Sequence, residues 1–302
     1  MNPTPLKKRP DSLEEQKVVR QRLLTEDEIV RALAFKPNED DVIISPWAKS
    51  GTTWTQQMVH CLRTRGDMDF EDISSAIPWI ETSEALGIDL SAPQRGRPRA
   101  FKSHLPWHTV PKGARYIVSL RDPRDQVVSL YRFFEGWFFE PGSVDINEFV
   151  EDLVTTRTPE NNYWVHLVSW WEQKDNPRVL LHCYEYMLAN PRKTIERVAA
   201  FIGVQLDEAL RDMTLEYTSM EFMLKHKHQF SDAPMRRLSE ARCDLPADSD
   251  SAKVRQGQSG THRQELSEET IRLLDETWQT EVAPKTGHRN YETLAAQLAE
   301  TG

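Results

Sequence analysis

Cysteine is scarce. The chain has three in 302 residues, Cys61, Cys183 and Cys243, far apart and without metal-ligand or redox spacing. They read as buried or idle reduced thiols, and no Cys/His/Asp cluster proposes a metal, so none is expected. Long apolar runs are missing too: no stretch approaches the ~20 apolar residues that span a bilayer. The start of the chain, with Lys7-Lys8-Arg9-Pro10 and then acidic residues, carries no apolar leader core. A cytoplasmic protein without membrane insertion is therefore expected. Basic charge is also short, with 38 Lys and Arg against 47 Asp and Glu and a formal net charge of −9. That balance argues against a general nucleic-acid binder, whose surface is basic, but leaves room for one small cationic pocket.

What is present is an alternation of short apolar runs and amphipathic segments from residue 41 onward. It predicts an α/β fold, a single domain with a central parallel β-sheet flanked by helices. Asp41–Ile44, Tyr116–Leu120 and Val179–Tyr184 read as strands, and a further short strand precedes His104. Trp54, Met58 and Leu62 share one face of a helix that stops at Gly66. Val127, Val128, Leu130, Tyr131 and Phe134 mark the next apolar face. Another helix is expected with Asn190 as cap, Pro191 in its first turn, a stripe of Ile195, Val198, Ala199 and Ile202, and Gly203 beyond its end. Residues 1–35 read as a polar arm. Residues 231–262, rich in Ser, Asp, Arg and Gly with little periodicity, read as a long loop.

The stretch Lys49-Ser50-Gly51-Thr52-Thr53-Trp54 lies between the first strand and its helix. Unpaired N–H groups and the helix dipole collect at such a junction. Gly51 lets the backbone approach an anion, Ser50, Thr52 and Thr53 offer hydroxyls, and Lys49 adds a full charge. The order is not that of a nucleoside-triphosphatase loop, in which lysine follows the last glycine. A plain polar turn would be the bland alternative. Two segments weigh against it: Arg121 ends a strand with Ser129 on the helix after it, and Lys102 and His104 follow another strand. In open α/β sheets, ligands gather at the carboxyl ends of strands.

Together these segments resemble the cytosolic sulfotransferase family, which transfers a sulfuryl group from 3′-phosphoadenosine 5′-phosphosulfate (PAPS). The similarity runs from Ala48–Trp54 through Phe101–Trp107, Ser119–Phe133, Tyr163–Glu172, His182–Gly203 and Tyr217–Met223 to Val254–Arg263, covering roughly residues 40–275 in order. It implies a P-loop-like (nucleoside-kinase-like) phosphate-binding core within a sulfotransferase domain of residues 36–302. Lys49, Ser50, Gly51, Thr52 and Thr53 would hold the 5′-phosphosulfate. Arg121, Ser129, Arg255, Gln256 and Gly257 would meet the 3′-phosphate. Trp54, Tyr184, Thr218 and Met220 would line the adenine, although Tyr184 and Met220 could equally be packing.

The pattern departs from the family at several points. Trp47-Ala48 replaces Tyr-Pro, Gln256 replaces a lysine, and Thr261-His262-Arg263 replaces Asp-Trp-Lys. The family's dimer motif is unrecognisable, which leaves the oligomeric state open.

The resemblance further implies that His104 is the general base, with Lys49 on the leaving phosphate oxygen and Lys102 on the transferring group. Ser129 would restrain Lys49 until an acceptor arrives. A histidine with an unperturbed pKa of ~6.5 suits that work near neutral pH. On the acceptor side, Trp79, Trp137 and Phe139 are expected to face a pocket, and Phe134 and Phe138 the core. An aromatic lining favours a lipophilic alcohol or phenol over a sugar. Two alternatives remain open at this level: a non-catalytic sensor of PAPS or its desulfated product, and an ATP-dependent kinase.

Overall fold

Four short apolar runs meet in one parallel sheet. The computed structural model describes residues 7–247, 249, 251, 253, 254, 257 and 259–300. Strands β1 (Val42–Ile44), β2 (Ala100–Lys102), β3 (Arg115–Leu120) and β4 (Val179–Cys183) lie in the order β2-β1-β3-β4. Val42 is in register with Ala100 on one side and Arg115 on the other, and Tyr116 with Val179. Successive side chains alternate between two cores, as the strand period requires. Ile43, Phe101, Tyr116, Val118 and Leu181 enter one, and Val42, Ile44, Ala100 and Ile117 the other. Both faces are covered, which explains why apolar residues occupy both sides of the strands rather than alternating with polar ones.

Helices cover each face. Near the N-terminus, α1 (Leu13–Arg20) and α2 (Glu26–Leu33) dock by burying Leu13 and Ala32, and Glu28 pairs with Arg242 at 2.7 Å. On the second core lies α3 (Thr52–Thr64), with Met58 and Leu62 buried; Arg65 and Gly66 turn left-handed after it (φ 56° and 81°), so the chain stops where expected. On the first core lie α4 (Pro123–Phe134) and α5 (Tyr163–Trp171), and the second also takes α6 (Pro191–Ile202).

Two sequence expectations need correction. Asn190 occupies the cap position of α6, but its side-chain amide donates back to the Tyr186 carbonyl at 3.3 Å rather than capping. Residues 231–262 are not one loop: α7 (Ala233–Arg242) forms inside them. Its apolar stripe is too thin to read, with only Met235 and Ser239 buried. Its arginines instead find tertiary partners, Arg236 over the Trp137 ring (4.4 Å) and Arg237 on Glu71 (2.6 Å). All three cysteines are free and buried; burial pushes the Cys61 and Cys183 thiols up to about 12. Among the described residues no helix is long and apolar enough to cross a membrane.

Because the strands are parallel, their carboxyl ends share one edge. That edge receives the loop after β1, Lys102 and His104 from β2, Arg121 from β3 and Tyr184 from β4. The chain leaves β1 for β2 on one side and reaches β3 on the other, so the crevice opens above β1.

Candidate active site

The loop after β1 is held by its carbonyl groups. His166 Nε2 donates to the Ser45 carbonyl at 2.9 Å, and His104 Nδ1 to that of Pro46 at 2.7 Å. The Trp47 carbonyl accepts from the Ser50 amide (3.1 Å) and Ala48 from the Gln126 side chain (2.9 Å). Arg121 donates to Lys49 at 2.8 Å, and the Ser119 hydroxyl to the Ser50 carbonyl. Gly51, finally, accepts from the Thr55 amide and hydroxyl. Seven consecutive carbonyl dipoles are thus tied into the protein, and the negative end of each is turned to a donor. Lys49 (φ 67°) and Gly51 (φ 94°) take the left-handed conformations that the turn requires.

Gly51 stands at the N-cap of α3 and offers its first amides no side-chain acceptor. Ser50 Oγ and Thr52 Oγ1 are buried and, among the described residues, have no hydrogen-bond partner. Buried hydroxyls lacking partners beside an uncapped helix start suit an anionic group, since polar atoms left unpaired in the interior cost about 1–3 kcal/mol each. A Cβ on Gly51 would sit 3.0 Å from the Tyr184 ring, so the cradle is lined closely by that ring. The residues therefore fit the 5′-phosphosulfate end of PAPS.

At the end of β2, Lys102 and His104 meet. Nδ1 of His104 faces a carbonyl and must carry the proton, which leaves Nε2 bare as a base. The His104 amide donates to Glu81 at 2.7 Å, and the imidazole sits edge-on to Trp79 with centroids 5.0 Å apart. Burial first, and then the Lys102 ammonium, lower the His104 pKa well below 6.5. The ordinary value expected from sequence is corrected by this packing. Lys102 itself is 2% exposed, stands 3.9 Å over the Trp79 ring, and is pulled by burial down to about 8.

Several groups around these residues escaped the sequence reading. Asp232 lies 3.6 Å from Lys102 Nζ and 2.6 Å from Lys253 Nζ, the latter a charge contact rather than an aligned hydrogen bond. Burial opposes the Asp232 charge, but Lys102 and Lys253 hold its carboxyl far below the usual range. Lys49 Nζ donates to the Lys253 carbonyl at 3.1 Å and stands 4.3 Å over the Phe133 ring. A single acidic residue in a polar stretch gives no signal of such partners.

The expected 3′-phosphate and adenine groups come from several separate elements. Arg121 stands over the Tyr184 ring (4.5 Å), Trp54 meets the same ring edge-on (5.9 Å), and Ser129 is half-buried on α4. Thr218 ends the helix Glu208–Tyr217 and donates its hydroxyl back to Thr214 at 2.6 Å; Met220 opens the next short helix. Gly257 packs so tightly on Met220 that a Cβ would fall 2.2 Å from its terminal methyl. Arg255 and Gln256 lie outside the described residues. The glycine-rich segment is anchored by Asp125, which accepts from Ser259 Oγ (2.9 Å), the Gly260 amide (2.5 Å), and the His262 amide (3.1 Å) and Nδ1 (2.8 Å). His262, where the family has tryptophan, is thus an anchor.

On the acceptor side the outcome is mixed. Trp79 stands at the site beside His104 and Lys102. Phe139 is fully buried between Tyr131 and Phe149 (centroids 5.5 and 6.2 Å), so its expected place at a pocket is corrected to the core. Trp137 is also buried, donating Nε1 to Ser239 at 2.9 Å and meeting Phe133 edge-on at 5.0 Å. It reaches the site only through Phe133, the aromatic that faces Lys49.

Comparison with known proteins bears on the family and the fold. The sulfotransferase domain family matches residues 39–290. The rat sulfotransferase 1C2 is 29% identical over 200 residues (63% of this chain, 67% of that protein), and the human sulfotransferase 1E1 is 31% identical over 200 (63% and 68%). Among solved structures, mouse sulfotransferase SULT7A1 complexed with PAP superposes with a TM-score of 0.66 at 21% identity (92% and 94% covered). Retinol dehydratase, solved with androsterone and inactive cofactor PAP, gives 0.69 at 19% identity (94% and 98% covered). The chain belongs to the sulfotransferase family and is a PAPS-dependent sulfotransferase.

Proposed function

We propose that this enzyme transfers the sulfuryl group to a hydroxyl, less readily an amine, of a small lipophilic acceptor, with His104 as general base. The carrying observation is the hydrogen bond from His104 Nδ1 to the Pro46 carbonyl, which leaves Nε2 as an acceptor at the edge of the anion loop. PAPS, when bound, supplies a sulfuryl group on a phosphate leaving group. Ser50, Gly51, Thr52 and Thr53 hold that end, and Lys49 counters charge building on the departing oxygen. Lys102 steadies the transferring group. His104 takes the proton of the attacking hydroxyl through Nε2. Arg121, Ser129 and Gly257 hold the 3′-phosphate, a role the family resemblance also gives Arg255 and Gln256, and Trp54, Tyr184, Thr218 and Met220 hold the adenine. Residues 36–302 act as the catalytic unit and 1–35 as an appended arm.

Trp79 and Phe133 favour a lipophilic acceptor, because one flat apolar ring flanks His104, the base that would meet it, and the other lies beside Lys49 at the same loop. The similarly folded retinol dehydratase, solved with androsterone and with retinol, supports the same class. Turnover on a panel of phenols, alkanols, amines and sugars, with the desulfated product PAP titrated calorimetrically beside ATP and magnesium, tests the reading. Tight PAP binding with turnover on phenols or alkanols is expected. Preference for sugars would overturn the acceptor class, and preference for ATP the assignment of the loop.

A further inference from the structure

Asp232 breaks a local rule. It stands at the N-cap of α7, where an aspartate ordinarily accepts from its own helix, yet it makes no side-chain cap bond. Asp72 takes over instead, accepting from the Ser231 amide at 3.0 Å and the Ala233 amide at 3.2 Å. The Asp232 backbone is left-handed (φ 57°), a conformation that aspartate visits more readily than most residues other than glycine. Its carboxylate, 3% exposed, points the other way. One oxygen, Oδ1, accepts from the Ser74 hydroxyl at 2.9 Å and is ion-paired with Lys253 Nζ at 2.6 Å and Lys102 Nζ at 3.6 Å. Lys253 in turn receives Lys49 Nζ on its carbonyl. Two lysines assigned to the chemistry are thus joined through one buried carboxylate and one loop residue.

We propose that Asp232 is a positioning residue for the transfer: it pins Lys102 beside His104 and, through Lys253, holds the loop whose carbonyl restrains Lys49. The proposal deepens the function proposed above and rests on it. A buried ammonium needs a counter-charge to stay protonated. Lys102 faces Asp232, Lys253, Glu81, Asp72 and His104, and Asp232 is the foremost of the groups that favour its charge. Losing Asp232 deprotonates Lys102 at a lower pH; losing Lys253 removes a like charge and does the reverse.

The test uses the full chain with Asp232→Asn, Asp232→Glu and Lys253→Met. Two quantities are read: the pH titration of Lys102 by ¹⁵N NMR without substrate, and the alkaline limb of kcat with PAPS and an aliphatic alcohol. In Asp232→Asn, Lys102 is expected to titrate about one pH unit lower, the limb to move with it, and kcat at pH 7.5 to fall about 10–100-fold, the cost of a lost charge-assisted contact. Asp232→Glu recovers part of this. Should Asp232→Asn not fold, Asp232→Glu decides the matter, because it displaces the carboxylate from Lys102: an unmoved Lys102 titration and limb in that variant overturn the proposal. A limb that stays put in an active, folded variant overturns the proposal. A wild type that shows the Lys102 coupling yet no PAPS-dependent turnover overturns the functional reading beneath it.

Discussion

The imidazole of His104 is fixed by the backbone of the anion loop: its Nδ1 donates to the Pro46 carbonyl at 2.7 Å. One bond sets the tautomer, aims Nε2, and ties the base to the loop that carries Lys49. His104→Ala is therefore expected to lower kcat roughly 10²–10⁴-fold, the range of general base catalysis, and to leave PAP affinity within about threefold. Steady-state kinetics and calorimetric titration with PAP check it; a loss under about tenfold means another base acts.

The pH profile follows from two buried groups. His104 is held well below 6.5, so Nε2 stays unprotonated through the neutral range; Lys102, pulled down to about 8, loses its charge as pH rises. kcat/KM with an acceptor that does not ionise is expected to stay level from about pH 6.5 to 7.5 and to fall above about pH 8, because the free-enzyme profile reports these groups. An acid limb centred at 6.5 would return His104 to an ordinary imidazole.

Gly51 has no room for a methyl group. Its φ of 94° strains any L-residue, and a Cβ would meet Tyr184 at 3.0 Å and the Ser119 hydroxyl at 3.2 Å. Gly51→Ala is expected to cost about 1–3 kcal/mol of stability and to weaken PAP at least tenfold as the cradle shifts. Thermal unfolding and calorimetry measure the two effects separately.

Asp125 accepts four hydrogen bonds from residues 259–262. An asparagine there replaces one accepting oxygen with a donor that faces other donors. Asp125→Asn is expected to loosen the glycine-rich segment and raise the PAP dissociation constant about tenfold, as loss of a charged hydrogen bond worth about 1.5–3 kcal/mol allows. Calorimetric titration checks it, and an unchanged constant would detach this segment from the cofactor.

The strands, α3, α4 and α6 were legible because apolar period and turn residues act locally. Met58 and Leu62 face the same core because they are four residues apart, and α3 ends where Arg65 and then Gly66 turn left-handed. The anion loop was legible for the same reason, since its chemistry is written in contiguous residues. Asn190, α7 and Phe139 were misread where tertiary partners outweigh local preference. A carbonyl in the preceding turn draws the asparagine side chain, arginines stabilise a helix with a thin stripe, and Tyr131 and Phe149 enclose a phenylalanine that lies beside aromatics in sequence.

By itself the sequence determined the succession of the four strands with α3, α4 and α6, and the residues at each strand end. It also determined the family, because seven segments in one order depend on no distance. The tertiary structure alone decided which groups meet. Asp232 reaches Lys102 across 130 positions, and Asp125 reaches His262 across 137. Burial, which no single residue carries, moved His104 and Lys102 away from their ordinary pKa values. Such charge pairs form only when the packed core removes water from both partners, so their signal lies in the fold and not in spacing along the chain.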